Sequence, residues 1–231
     1  MRPWLQALLL LWLAPNAFAK APAKLVVVVS DGWRATAGKL RRFQRDPGGW
    51  RAVGDLVPVV LGSGGLAWPE DKREGDRRSP AGRLELGDVT GYEDAPPGLT
   101  LGYRRASASL RCVDDPRSPA YNTLAELADG GAAWSSDEPL RRDDELYRLT
   151  LFVRHNPARI PGHGSCIFLH VWRDADSPTV GCTAMALPAL RALVLWADAT
   201  TELVQLPRAE YRRLQRAWDL PPLALVDGQR K

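Results

Sequence analysis

A mainly β fold is predicted by three features of the sequence. The run KLVVVV, Lys24 to Val29, is rich in β-branched residues and stops at SDG, which is the composition of a buried strand opening a sheet. Strand-like segments then recur at short intervals, punctuated by Gly and Pro, through most of the chain. No strongly periodic helical segment occurs in the first half.

Taken in order, GWRATAGKLRRFQRDPGGWRAVG reads as two short strands around the turn DPGG, and GDLVPVVLGSGGLAW as a further strand that runs into a Gly-rich loop. SGGLAWPEDKREGDRRSPAG is a long, charged, turn-rich loop. Ile167 to Trp172, IFLHVW, is a strand. Two helices follow it. Leu187 to Ala199 aligns Leu190, Leu193, Val194 and Ala197 on one face with Pro188 in the first turn. Pro207 to Trp218 repeats the design with Tyr211, Leu214 and Trp218 inward. TELVQL between them is a closing strand.

The first residues, MRPWLQALLLLWLAPNAFAK, have the form of a signal peptide: a positive start at Arg2, an apolar run from Trp4 to Leu13, and small residues at Ala17 and Ala19. Cleavage before Lys20 would leave 231 − 19 = 212 residues, enough for one domain. The apolar run is shorter than the roughly 18 residues that span a bilayer, so no membrane span is expected once the leader is removed. The expected location is outside the cytoplasm, in the periplasm or cell envelope.

Losing Arg2 with the leader lowers the formal net charge from +4 to +3. The basic residues are interspersed with Asp and Glu (REGDRR, LRRDDELYR, PRAEYRRLQR), the pattern of solvated faces rather than a basic stripe, and no nucleic-acid partner is expected.

Three cysteines, Cys112, Cys166 and Cys182, in an exported chain leave either one disulfide and one free thiol or three free thiols. On an unbroken strand His170 lies four residues, about 13 Å, from Cys166, which is too far for a thiol–imidazole hydrogen bond. The same spacing argues against a zinc cage of His163, Cys166, His170 and Cys182, so no metal or other cofactor is expected. Cys182 follows the turn-rich loop RDADSPTVG, which can bring it back beside His170. Gly181 permits an unusual backbone conformation at the thiol. A downstream helix aimed at the thiol would favour thiolate. Such a pair suits a nucleophile with an adjacent base.

GSCIFLHVWRDADSPTVGCTAM resembles the catalytic stretch of the L,D-transpeptidases, the YkuD-like domain of bacterial peptidoglycan cross-linking enzymes: a histidine on a strand, a loop, then Ser/Thr-x-Gly-Cys. His170, Thr179, Gly181 and Cys182 occupy these positions. Upstream, KREGDRRSPAGRLELG resembles the family's E-G-D…[TS]-P-x-G segment through Glu74, Gly75, Asp76, Ser79, Pro80 and Gly82. The likeness reaches to about Leu206. The sequence departs from the better-known members at Val180, where they carry a second histidine, and lacks their Arg or Asn after the cysteine.

The resemblance implies a YkuD-like β-sandwich over residues 20–206, with a helix after the nucleophile and a C-terminal helical extension over 207–231. It implies an acyltransferase on peptidoglycan stem peptides, with Cys182 as nucleophile, His170 as general base, and the amides of Gly181 and Cys182 as oxyanion donors. Thr179 and Thr183, flanking the nucleophile turn, are expected to touch substrate. Because the resemblance claims Cys182, it leaves Cys112 and Cys166 as a disulfide pair. An L,D-carboxypeptidase or envelope amidase uses the same chemistry with water as acceptor, and a cell-wall binding module without turnover is the reading from another class. His155 and His163 are expected to be solvated loop residues. Asn156, Tyr121, Asn122 and Trp134 could line a groove or serve turns and packing.

Overall fold

A computed structural model describes residues 23–228; the expected leader, residues 1–19, lies outside the described residues. β1 (Lys24–Ser30), β2 (Ala37–Asp46) and β3 (Gly49–Val60) open the chain, followed by the two-residue strands β4 (Leu66–Ala67) and β5 (Ser79–Pro80) and by β6 (Gly82–Gly91). An excursion carries β7 (Tyr103–Arg105), β8 (Leu110–Val113), β9 (Thr123–Glu126) and β10 (Asp137–Pro139). The chain then returns through β11 (Leu149–Val153), β12 (Phe168–Val171) and β13 (Thr183–Met185) to α1 (Leu187–Trp196), β14 (Thr201–Pro207), α2 (Arg208–Leu214) and α3 (Leu223–Val226).

The principal sheet has the order β11-β12-β13-β3-β2-β1-β14-β6-β7, and β11 also pairs with β6. That last pairing closes eight strands, β11 round to β6, into a ring. The mainly β expectation therefore holds. The expected YkuD-like β-sandwich does not describe what is seen, because eight strands close on themselves and only β7, paired to β6 alone, is left as an edge strand of that sheet. β8, β9 and β10 form a separate three-stranded sheet.

Alternation along the strands sorts side chains between the ring's interior and its outside. Val26 and Val28 of β1 enter the interior cluster with Leu40, Val59, Leu84, Val89, Leu151, Leu169 and Met185, and Leu190, Leu193 and Val194 of α1 complete it. Leu25, Val27 and Val29 face outward into a second cluster under Tyr211, Leu220 and Val226. β1 is thus buried on both faces, which is why it reads as an unbroken apolar run. A third cluster, Leu110, Cys112, Leu140, Tyr147, Cys166, Phe168 and Cys182, joins the outer face of β12 to the three-stranded sheet.

Two sequence expectations are adjusted. The segment around DPGG forms two long strands, β2 and β3, rather than short ones, with a register shift between Leu40 and Arg42. The helix expected to run to Trp218, α2, stops at Leu214; Asp219 has φ 52°, and Leu220 then docks in the second cluster, so the chain turns early to bury that side chain before the short α3. No helix among the described residues is long and apolar enough to cross a membrane.

Candidate active site

β12 and β13 run parallel with His170 opposite Ala184 and Leu169 opposite Thr183. Continuing that register sets Cys182 beside Phe168, and alternation puts Phe168, His170 and Cys182 on one face, the outward one. The Phe168 amide donates to Cys182 Sγ at 3.3 Å, confirming the neighbourhood. Cys182 and His170 line one cleft of 330 Å³ together with Glu138, Arg142, Tyr147, Arg173 and Thr179. The loop from Trp172 to Gly181 is what returns the thiol to the histidine, as the sequence suggested.

The geometry of the turn before Cys182 follows from its residues. Thr179 Oγ1 donates to the Cys182 carbonyl at 2.6 Å and accepts the Gly181 amide at 3.1 Å. Gly181 has φ 148°, a region that side-chain-bearing residues rarely enter, and a Cβ there would meet the Arg78 carbonyl at 3.3 Å. Ser79 Oγ donates to the same Cys182 carbonyl at 2.8 Å and accepts the Gly62 amide at 2.9 Å. Ser79 belongs to the upstream segment that the sequence had set beside the cysteine motif, and the fold brings the two together.

Within that upstream segment the polar residues organise the loop. Asp76 accepts from the amides of Arg73 and Arg78 at 2.8 Å each and pairs with buried Lys72 at 2.7 Å. Glu74 accepts from Tyr121 at 2.6 Å and Ser165 at 2.9 Å. Asn122 accepts the Cys166 amide at 3.0 Å and donates to the His155 and Asn156 carbonyls. Tyr121 and Asn122 are therefore buried braces rather than groove residues; Asn156, also buried, donates to the Ile160 and Gly164 carbonyls and lines a separate pocket beside His155 and Ile160, and Trp134 donates to Asp137.

His170 is 7% exposed, and its Nδ1 lies 2.8 Å from the Val171 carbonyl. A carbonyl only accepts, so Nδ1 carries the hydrogen and, in the neutral ring, Nε2 carries the lone pair. Burial pushes the imidazole down to about 4, against the Val171 carbonyl, which favours the charged ring. Burial also pushes the Cys182 thiol up to about 12, with the Glu138 carboxylate adding to the effect. The resting pair is a neutral thiol and a neutral imidazole. The thiol proton is directed at the Cys166 carbonyl, 3.7 Å away.

Several expectations change here. Helix α1 packs its apolar face into the ring's interior, across the sheet from Cys182, so its dipole does not produce a thiolate. Thr183 is 2% exposed and donates to Gln205 at 2.8 Å, on the opposite face from the cleft, and so cannot contact substrate there. Thr179 lines the cleft, but its hydroxyl proton is committed to the Cys182 carbonyl. The Gly181 amide is likewise engaged and is not a free oxyanion donor. His155 is 1% exposed, not solvated, and its Nε2 meets the His163 carbonyl at 2.8 Å.

Cys112 and Cys166 form a disulfide, and Cys182 is the free cysteine. Cys166 has φ 54°, so the chain bends before β12 begins and turns its sulfur toward β8. Among the described residues no cluster of His, Cys, Asp and Glu has the arrangement of a metal site.

Glu138 and Tyr147 were not foreseen. Tyr147 is 4% exposed, donates to Glu138 Oε1 at 2.6 Å, and stacks edge-on against His170 with ring centroids 5.3 Å apart. Both come from the excursion between β7 and β11, whose strands are too short for their facing to be read from alternation.

No protein-family model matches the chain, and no curated protein matches it. Among solved structures, Bdellovibrio bacteriovorus Bd1075 aligns over 86% of this chain with 13% sequence identity and a TM-score of 0.44, a likeness too distant to carry an argument. This chain spans 55% of the length of that protein.

Proposed function

We propose that the protein is an exported cysteine acyltransferase of the L,D-transpeptidase type, acting on peptidoglycan stem peptides in the cell envelope, with the YkuD-like domain as its fold family. The observation that carries the reading is the arrangement of Cys182 and His170 on adjacent parallel strands, facing one cleft, with the neutral ring's hydrogen held on Nδ1 by the Val171 carbonyl so that Nε2 carries the lone pair. The Ser79 bond to the nucleophile turn adds support, since it joins the two separate segments that resemble the family.

In this reading Cys182 Sγ attacks the carbonyl on the donor side of the stem's terminal D-alanine while His170 Nε2 takes the thiol proton. Because both groups start neutral, attack and proton transfer are coupled. The tetrahedral intermediate expels the D-alanine amine, which receives the proton from His170, and leaves a thioester on Cys182. With the Gly181 amide engaged, the Cys182 amide is the oxyanion donor the turn still offers. An acceptor amine then attacks the thioester, losing its proton to His170, which returns it to the departing thiolate.

The test is incubation with tetrapeptide stems and mass analysis of the products. Cross-linked dimers with release of D-alanine, both lost in Cys182→Ala, are expected. Trimmed monomers alone would make the protein an L,D-carboxypeptidase. One observation favours a wall-binding module without turnover: the thiol donates to the Cys166 backbone carbonyl rather than to His170. No product of either kind, together with no covalent adduct from a carbapenem on the wild-type protein, would establish that reading in place of the enzyme.

A further inference from the structure

We propose that the cavity walled by Trp33 and Trp68, behind the turn that leads to Cys182, binds a pyranose ring of a glycan. That this glycan is the strand bearing the stem peptide rests on the proposed function; sugar binding by itself does not.

The two indoles come from different loops, Trp33 from the one after β1 and Trp68 from the one after β4, and their ring centroids lie 5.2 Å apart at an interplanar angle of 62°. At that angle they form a corner rather than a stack. Both are only partly buried, and both line a cavity of 360 Å³. Each also packs against the interior cluster, which fixes the corner in place. Gly64 completes this part of the lining: a Cβ there would lie 2.8 Å from the Asp76 carbonyl and 3.0 Å from the Arg78 side chain, so a side chain at this position would crowd Arg78 at the rim. Arg34, Asp71 and Arg78 stand exposed around the opening and, among the described residues, make no ion pair. Glu210, also at the rim, pairs with Arg213 at 2.6 Å.

This mixture of groups selects the ligand. A sugar ring has apolar C–H faces that lie on an indole and a belt of hydroxyls that both donate and accept, and the rim supplies two guanidinium donors and one carboxylate acceptor for them. A purely apolar ligand would desolvate three charged groups without pairing them, and an anion would meet Asp71 beside the arginines. The position of the cavity gives the sugar a use. It shares no lining residue with the Cys182 cleft, yet it borders the same turn: the Ser63 amide donates to the Thr179 carbonyl at 2.8 Å, and the Arg78 carbonyl lies 3.3 Å from where a Cβ on Gly181 would stand. Ser79, next to Arg78, holds the Cys182 carbonyl. A glycan seated against the tryptophans is therefore held beside the turn that carries the thiol.

The experiment is titration of the folded, disulfide-bonded protein with chitotetraose, a neutral glycan, at up to about 5 mM, followed by calorimetry. Binding is expected. It should weaken at least about 10-fold in the variant carrying both Arg34→Ala and Arg78→Ala, and at least about 3-fold in Trp68→Phe, each variant first shown to keep the circular dichroism of wild type. No binding to wild type, or unchanged affinity in the arginine variant, overturns the proposal. Binding of a sugar-free tetrapeptide stem that the arginine variant abolishes, with none of chitotetraose, would make the pocket a carboxylate site and overturns it too. Should Trp68→Phe fail to fold, the two exposed arginines carry the test. Cys182→Ala should bind chitotetraose as wild type does, so failure here leaves the proposed acyl transfer standing, and absence of acyl transfer leaves sugar binding readable.

Discussion

Ser79 Oγ donates to the carbonyl of Cys182 at 2.8 Å across a sequence separation of 103 residues. The same hydroxyl oxygen accepts the Gly62 amide, so one small side chain ties the upstream loop, the segment after β3 and the turn before Cys182 together. Ser79 is fully buried; without its hydroxyl the Gly62 amide loses its acceptor, while the Cys182 carbonyl keeps only the Thr179 hydroxyl. Ser79→Ala is expected to cost about 1–3 kcal/mol in chemical denaturation, the range for leaving buried backbone groups unsatisfied. Because the Cys182 carbonyl loses one of its two hydroxyl donors, the variant should also alkylate at Cys182 faster than wild type.

Gly181→Ala places a Cβ 3.3 Å from the Arg78 carbonyl on a backbone with φ 148°. Strain of this kind is expected to cost about 1–3 kcal/mol and to displace Cys182. The midpoint of thermal unfolding should fall, and D-alanine release from tetrapeptide stems should drop at least about 10-fold if the proposed reaction holds. Gly228→Ala, with its nearest neighbour a flexible side chain at 3.7 Å, serves as a control at a positive-φ glycine far from the cleft.

The Cys112–Cys166 disulfide closes a loop with a sequence separation of 54 and anchors β8 to the segment that leads into β12. Chain-entropy arguments assign a bridge of this span about 4 kcal/mol. Cys112→Ala paired with Cys166→Ala is therefore expected to lower stability by about that amount. Since Glu138 lies opposite Cys112 in the register of β10 and β8, the cleft wall should loosen before the ring does. Hydrogen exchange should show earlier loss of protection in residues 110–139 than in β1 or β14.

Stability should fall with acid in a window set by His170. Its folded-state value is pushed below the ordinary 6.5 to about 4, so between those values the unfolded chain binds a proton that the folded chain does not. Unfolding then takes up protons, and stability drops as pH falls from about 6.5 toward 4, by a few kcal/mol at most. His170→Gln removes the titration. Denaturation at both ends of the window should show a smaller acid loss for the variant than for wild type; equal losses would count against a buried, neutral His170.

The cysteine thiol works in the opposite direction. Its folded-state value is raised from 9.0 to about 12, so the folded chain retains a proton that the unfolded chain loses. Stability should decline as pH rises through that interval, and Cys182→Ser should lessen the decline. Denaturation midpoints measured above about pH 9 give the comparison.

Much of the ring was legible in the sequence because its signals are local. The Lys24–Val29 run marks a strand buried on both faces, and DPGG marks the turn joining β2 and β3. The period of Leu190, Leu193 and Val194 marks α1. His170 on a strand and Cys182 after a polar loop were legible as a pair because a flexible connection between two short elements permits their approach. Thr183 was misread because its facing depends on where β13 starts: one position of register sends its hydroxyl to Gln205 instead of the cleft. His155 was misread because a polar loop sequence says nothing about whether other segments cover it.

By itself the sequence determined the mainly β class, the β1 and α1 elements, the candidate nucleophile and its base, and the assignment of three cysteines to one bridge and one thiol once the family resemblance was accepted. Only the tertiary structure decided that the sheet closes through β11 and β6, that α1 faces away from Cys182, and that Glu138 and Tyr147 form the opposite wall. The physical reason is range. Hydrophobic period and turn chemistry are written between neighbours a few residues apart, whereas ring closure, desolvation of the thiol and imidazole, and the approach of Glu138 arise from contacts between segments that no local pattern relates.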